Sequence, residues 1–432
     1  MKKPLFVFAA FILILSSIRA NPIERAINKM KLNNYSTAIK ILEKAVIKAD
    51  YHDNAIPLLA ECYRLQNDQV NAEKWYRLAI KLPGAIPEWY YYEAQALRST
   101  GDYIKAREMF LAYADLRPED PRGKTFASFC ENAIGPWKDR FPAFDVKTVA
   151  NINSPESDFG PSFFSGQLVF ASERNLNMDE NKYGWRGKGY VDMVNARPNA
   201  PHEFWGDMKS AKLFNEKFNK SYHDGPAVFA ENNMVYFTRT TVDRKKKKDN
   251  IHANRLEIYY ATFTDGKWGP LQPFFLNSSE YSVGYPTLSA DGNTIVFVSD
   301  RPNGYGGTDL WVCHKKDGKW SNPENLGSDF NTAGNEIFPS IQSDGTLLFS
   351  SDGLPGYGGQ DIFSSKSSNS YWLNPENVGI PINSSFDDFG INYAPNDQSG
   401  FFTSNRPGGE GSDDIYAFRE LETPEQEITK LQ

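Results

Sequence analysis

Two periodicities divide the chain. Between residue 22 and about 134, apolar and small residues recur at the three- and four-residue intervals of helices. From about 141 onward, apolar and polar positions alternate in short runs punctuated by Gly, Pro, Asn and Asp. The helical pattern repeats every 34 residues: Ala26, Ala60 and Ala94 keep that interval, as do Ala38, Ala72 and Ala106, and Leu42, Tyr76 and Phe110. The turn positions Asn33, Asn67 and Gly101 keep it too. Such a pattern predicts paired helices, with alanine where backbones approach and a large side chain filling the gap to the next pair. Residues 121–133 read as a terminal capping helix.

The alternating region repeats as well. Trp268, Trp320 and Trp372 lie 52 residues apart, and Asp291, Asp344 and Asp397 lie 53 apart. Three units align as "GYPTLSADGNTIVFVSDRPNGYGGTDLW", "IFPSIQSDGTLLFSSDGLPGYGGQDIF" and "FGINYAPNDQSGFFTSNRPGGEGSDDIY". Two divergent ones, "DFGPSFFSGQLVFASER" and "HDGPAVFAENNMVYFTR", precede them. Each predicts a strand, a hairpin turn, a second strand rich in aromatics, a Gly-rich connection and an outer strand, which is the plan of a β-propeller blade. Five blades follow, or six if residues 175–215 hide another. The segment 145–154 is expected to supply the strand that the last unit lacks.

The Gly-rich stretch "SDRPNGYGGTDLW" invites three readings. A phosphate loop would lead into a helix with Lys-Ser/Thr after the glycines, and a calcium loop would place acidic residues at alternate positions with a closing Glu. Neither spacing is present, so the stretch reads as a turn. Asp291-Gly292 would turn the hairpin, Gly304, Gly306 and Gly307 would let the next connection fold tightly, and Asp309 would cap backbone N–H groups.

The 34-residue unit closely resembles the tetratricopeptide repeat (TPR). The phrase "P-x-x-S-x-D-G-x-x-I-x-F-x-S-D-R", best kept at residues 286–301, resembles the PD40 (TolB-like, WD40-like) blade repeat. The expected fold is therefore multidomain α plus all-β: a TPR α-solenoid with its cap at 22–134, a five- (or six-) bladed β-propeller at 141–420, and a polar tail at 421–432. A TPR array implies a concave groove carrying Asn54, Glu61, Arg64, Tyr91, Gln95 and Arg98 as partner-binding residues. The alternatives for that face are plain solvent exposure or docking of the second domain.

Lys2 and Lys3, the apolar run 5–15 and a cut after Ala20 read as a secretory signal peptide at residues 1–20, too short to span a bilayer. On an exported chain, TPR followed by PD40 propeller looks like the periplasmic, outer-membrane-associated proteins of Bacteroidetes. It is similar in architecture to TPR–propeller–OmpA-like proteins linked to type IX secretion. No OmpA-like module follows residue 420, so the resemblance does not carry direct peptidoglycan anchoring.

The remaining composition narrows the chemistry. A net charge of −7 calls for no nucleic acid, and the run 244–248, "RKKKK", reads as a solvated loop tip, with a polyanion or membrane-surface contact as the alternative. Cys62, Cys130 and Cys313 read as buried free thiols, with a Cys62–Cys130 bridge left open. The five His are scattered without metal spacing, and neither a Ser-x-Asp-x-Gly-x-x-Trp box nor a Gly-x-Ser-x-Gly elbow occurs. The expectation is a chain with no cofactor, no metal and no enzymatic activity: a periplasmic scaffold binding protein partners through the helical groove and the propeller surface. The second reading is a propeller that binds or senses a glycan or peptide, and the third a glycan hydrolase.

Overall fold

The computed structural model describes residues 21–135, 143–149, 151–176, 183–200, 203–219, 223–230, 233–242, 254–368, 371–395 and 398–421. The expected leader at 1–20, the basic run 244–248 and the tail beyond 421 lie outside the described residues.

The N-terminal part of the described chain forms seven α-helices: α1 Pro22–Met30, α2 Tyr35–Val46, α3 His52–Leu65, α4 Gln69–Ala79, α5 Pro87–Arg98, α6 Tyr103–Leu116 and α7 Arg122–Ile134. Each packs on the next. The 34-residue interval has a local cause. Asn33, Asn67 and Gly101 all take left-handed backbone, at φ 53°, 62° and 81°, and the residue after each caps the following helix. Asn34 accepts from the Thr37 N–H at 3.2 Å, Asp68 from Asn71 at 3.1 Å and Asp102 from Lys105 at 3.3 Å. One helix thus ends on a left-handed residue and the next starts on an Asx cap, once per repeat. Ala38, Ala72 and Ala106 are fully buried beside Leu42, Tyr76 and Phe110. No helix among the described residues is long and apolar enough to cross a membrane.

The rest is a five-bladed propeller. Blade one is built from Asp158–Phe164, Gln167–Ser172, Asp192–Ala196 and Lys212–Leu213, and blade two from Asp224–Ala230, Met234–Val242, Asn254–Thr264 and Gln272–Pro273. Blade three uses Val283–Leu288, Thr294–Ser299, Asp309–Lys316 and Glu324–Asn325, and blade four Glu336–Ile341, Leu347–Ser351, Asp361–Ser365 and Glu376–Asn377. Blade five has Asp388–Tyr393, Ser399–Ser404 and Asp414–Glu420, and its outermost strand is Phe144–Thr148, which precedes blade one in the chain. The ring closes as expected. The described residues of the segment 175–215 hold the outer strands of blade one rather than a sixth blade.

Recurring side chains explain why these residues make blades. Phe170, Phe297, Phe349 and Phe402 each stand two residues before the serine ending a second strand, and each is at most 1 % exposed. Burial of one such ring stabilises by about 1.5–3 kcal/mol. The inner strands begin with a fully buried acid in four blades: Asp158, Asp224, Glu336 and Asp388. Three of these meet an arginine from the second strand or just after it, Arg174 at 2.6 Å from Asp158, Arg239 on Asp224 and Arg406 on Asp388. In blade four the arginine position holds Gly353, and Glu336 instead accepts from Thr332 and Ser351.

The Gly-rich connections are turns, and their glycines answer to space. In blade three Asp309 accepts from the Tyr305 and Gly306 N–H groups, at 2.7 and 3.3 Å. A Cβ on Gly304 would lie 2.4 Å from that carboxylate, and one on Gly306 would lie 2.2 Å from the Thr332 carbonyl, which belongs to the approach to blade four. Blade four repeats the device, with Asp361 capping Tyr357 and Gly358. Gly292 in the hairpin turn has φ 68°.

Candidate functional site

The helical array sits on the end of the propeller where the inner strands begin, and it touches there through its interhelical turns. The Ser36 hydroxyl donates to the Gly184 carbonyl at 3.0 Å. In the α3–α4 turn, Gln66 donates to the Trp185 carbonyl and Asn67 to the Asp387 carboxylate. The Trp185 indole N–H donates back to Leu65 O at 2.9 Å, and its ring stands edge-on to Tyr35 at 5.0 Å. Arg98 reaches the Asp352 carbonyl at 3.4 Å.

Between the two halves lies a chamber of about 600 Å³, within the range of small-ligand sites. Its ceiling is the α3–α4 turn with Ser99 and Thr100 from the end of α5. Its floor is aromatic: Phe159, Phe338 and Phe389 from the inner strands of blades one, four and five. The floor is closed for a backbone reason. Each inner strand carries a bulge with one left-handed residue, Gly160, Gly225, Tyr285, Phe338 or Gly390. Tyr285 and Phe338 hold this conformation despite their side chains, at φ 48° and 51°, and their rings meet at 4.5 Å. Phe338 then reaches Phe389 at 4.8 Å. Glycine opposite makes the room: a Cβ on Gly160 or Gly390 would already lie 3.4 Å from the Phe338 ring. Phe338 therefore plugs the axis, with a cavity of about 50 Å³ on its other side.

The chamber wall is polar and predominantly acidic. Glu173, 4 % exposed, accepts from the Tyr183 hydroxyl, and burial raises its pKa above the usual carboxylate value. Arg186 lies 3.6 Å from Glu173 and 3.5 Å from Asp413, bridging the two. Asp387 accepts from the Gln360 N–H at 2.8 Å and from the side-chain amides of Asn67 and Asn405, and burial raises its pKa as well. His223 is stacked edge-on between Tyr183 and Tyr190, and its Nδ1 accepts from the Val191 N–H at 3.2 Å. Burial pushes its pKa down to about 4, so it is neutral near pH 7. Among the described residues no group of three or more His, Cys, Asp or Glu is placed to hold a metal ion.

The residues expected to line a helical groove are placed differently from one another. Asn54 is exposed on α3. Glu61 and Arg64 pair at 2.6 Å, with the Tyr76 hydroxyl donating to Glu61 and the Arg64 guanidinium lying 4.3 Å over Tyr92. Tyr91 and Arg98 do not lie on an open groove. Tyr91 is 8 % exposed and packs on Tyr113 and Phe110, with Gln95 donating to its hydroxyl at 3.0 Å. Arg98 is 2 % exposed, 4.7 Å over the Phe126 ring and directed at the propeller. The capping helix α7 and the docked propeller cover what a longer array would leave open. The three cysteines are buried free thiols.

Sequence reading missed the chamber residues, although a signal existed. Glu173 and Asn405 occupy the position between Ser and Arg in the S-D-R phrase, while Asp387 and His223 directly precede an inner strand. Gln360 and Asp413 directly precede a third strand. The repeat brings these variable neighbours of its fixed positions to one end of the propeller.

No family model matches the chain, and no curated protein matches it in sequence. Solved structures do match, over the propeller. A gluconolactonase from Xanthomonas campestris is 13% identical, over 66% of this chain and 93% of that one, with a TM-score of 0.36. TolB from Acinetobacter baumannii is 11% identical, over 62% and 55%, with a TM-score of 0.32. A Trypanosoma rangeli sialidase is 11% identical, over 67% and 60%, with a TM-score of 0.35. These are likenesses of fold. They correct one expectation: propellers similar to this one include enzymes, so the fold gives no ground for ruling out enzymatic activity.

Proposed function

We propose that the chain is a binding protein whose ligand site is the chamber between the helical array and the propeller. The observation that carries this reading is a chamber of about 600 Å³ walled by both halves, plugged below by Phe338 and roofed by interhelical turns. A cavity of that size with an aromatic floor and a few directed polar groups suits a short peptide segment or a small glycan. The helical repeat, read as TPR-like, then serves as the roof. The expected leader at residues 1–20 and the resemblance of the repeats to those of periplasmic envelope proteins support a reading in which such a binding event occurs outside the cytoplasm.

Val70 allows a direct test, because it lines the chamber yet is 66 % exposed, so its substitution spares the core. Saturation-transfer NMR against a mixed set of short peptides and soluble oligosaccharides is expected to show binding to the wild type. Val70→Trp should abolish it at an unchanged Tm. Binding that survives Val70→Trp would move the site elsewhere.

A second reading, the scaffold for protein partners, is favoured by apolar side chains on the helical array. Ile47, Ile104 and Leu116 are 82, 65 and 51 % exposed, apolar surface that a protein partner would cover. Cross-linking in the native envelope would test it. Loss of protein partners on Ile47→Glu/Ile104→Glu supports the reading, and an unchanged partner set removes it.

A further inference from the structure

The chamber's charge and its unsatisfied atoms point the same way. Four carboxyl groups line it, from Asp68, Glu173, Asp387 and Asp413, against the single guanidinium of Arg186 among the described lining residues. His223 adds no compensating charge near pH 7. Among the described residues Asp387 is held only by neutral donors, the Gln360 backbone N–H and two asparagine amides. A carboxylate buried with amides alone either takes up a proton or is stabilised by a cation that approaches it.

The unsatisfied atoms supply an independent observation. Two fully buried side-chain oxygens on the wall lack a hydrogen bond, Glu173 Oε2 and Gln360 Oε1. Both are acceptors. Arg186 lies 3.6 Å from Glu173 Oε2, as an ion pair rather than a hydrogen bond. Buried acceptors without donors are uncommon in folded proteins and mark places where a donor is expected. Beside them stand the faces of Phe159, Phe338 and Phe389, which attract a cation through the ring quadrupole.

Resting on the chamber being a ligand site, we infer that its ligand carries an organic cation, an alkylammonium or guanidinium group, seated between the Glu173, Gln360 and Asp387 wall and the aromatic floor. A donor-rich cation satisfies both orphaned acceptors, neutralises Asp387 and lies against aromatic surface. A neutral sugar would meet the acceptors but leave the charge, and an anion would oppose it.

Matched probes test this on the whole exported chain, residues 21–432. Isothermal titration calorimetry with Nα-acetyl-arginine amide and its neutral isostere Nα-acetyl-citrulline amide isolates the charge. Nα-acetyl-lysine amide and maltotriose complete the set. The expected result is at least tenfold tighter binding of the arginine or lysine probe than of citrulline amide, with the advantage shrinking as salt is raised. Glu173→Gln and, separately, Asp413→Asn should each reduce that advantage, with thermal unfolding checking that each variant is folded. Equal binding of arginine and citrulline probes would overturn the inference, as would no binding of either cation. Maltotriose binding that is blocked by Val70→Trp would overturn the cation while keeping the chamber. Cation binding untouched by Val70→Trp would overturn both readings.

Discussion

Glu336 shows how one residue departs from a repeat and what that does. In blades one, two and five the acid that opens the inner strand meets an arginine, but blade four has Gly353 there, and Glu336 is fully buried with hydroxyl and amide donors only. Burial outweighs those bonds and lifts its pKa to about 7, from an ordinary value of 4.5. The folded state therefore holds its proton more tightly than the unfolded chain. That contribution to stability is complete below about pH 4.5 and is lost as pH rises through about 7, a change of up to about 3 kcal/mol. Chemical denaturation of wild type and Glu336→Gln at pH 5 and pH 8 is expected to show the wild type losing more stability than the variant across that interval. Parallel pH profiles would mean that Glu336 is ionised in the fold without penalty.

At the scale of elements, an asparagine repeats in all five blades. Asn219 donates to Met193 O and accepts from its N–H, and Asn277, Asn331, Asn383 and Asn153 do the same for Ile258, Leu310, Ile362 and Ile415. Each amide stands in for a strand residue beside the third strand, where the fourth strand is only two residues long in blades one to four. Replacing it leaves a buried N–H and C=O unpaired. Asn383→Ala and Asn331→Ala should each cost about 1–3 kcal/mol in urea unfolding. A loss below 0.5 kcal/mol would show that water substitutes for the amide there. These asparagines also mark the limit of sequence reading. The strands, the turns, a count of five or six blades and the closing strand follow from alternation, Asp-Gly turns and 52- to 53-residue intervals. The asparagines recur in loops at 153, 219, 277, 331 and 383, and only the last two keep the 52-residue interval, so the set of five does not stand out. The chamber residues were still less visible, because identity varies from blade to blade wherever the fold does not dictate it. Glu173 has Asp300, Asp352 and Asn405 as its counterparts.

For the whole molecule, the question is what holds the two halves together around the chamber. None of the buried hydrophobic clusters spans them: the helical residues form clusters around Leu42, Tyr76 and Phe110, and the propeller blades form their own. Contact across the boundary is largely polar, with Trp185 as its main apolar element, 38 % exposed, hydrogen-bonded to Leu65 and set against Tyr35. An interface of that kind resembles those between domains that move relative to one another, rather than a shared core. The helical array should then loosen from the propeller without either half unfolding. Trp185→Ala is the variant that separates these events, since it removes a ring and a hydrogen bond from the boundary but nothing from either core. Hydrogen exchange should speed up at residues 65–70 and 183–187, while the amides of α6 and of the second strands keep wild-type protection and Tm moves by less than about 3 °C. Faster exchange throughout the helices would instead show that docking on the propeller is what keeps the array folded. The chamber would then exist only as long as the whole molecule does.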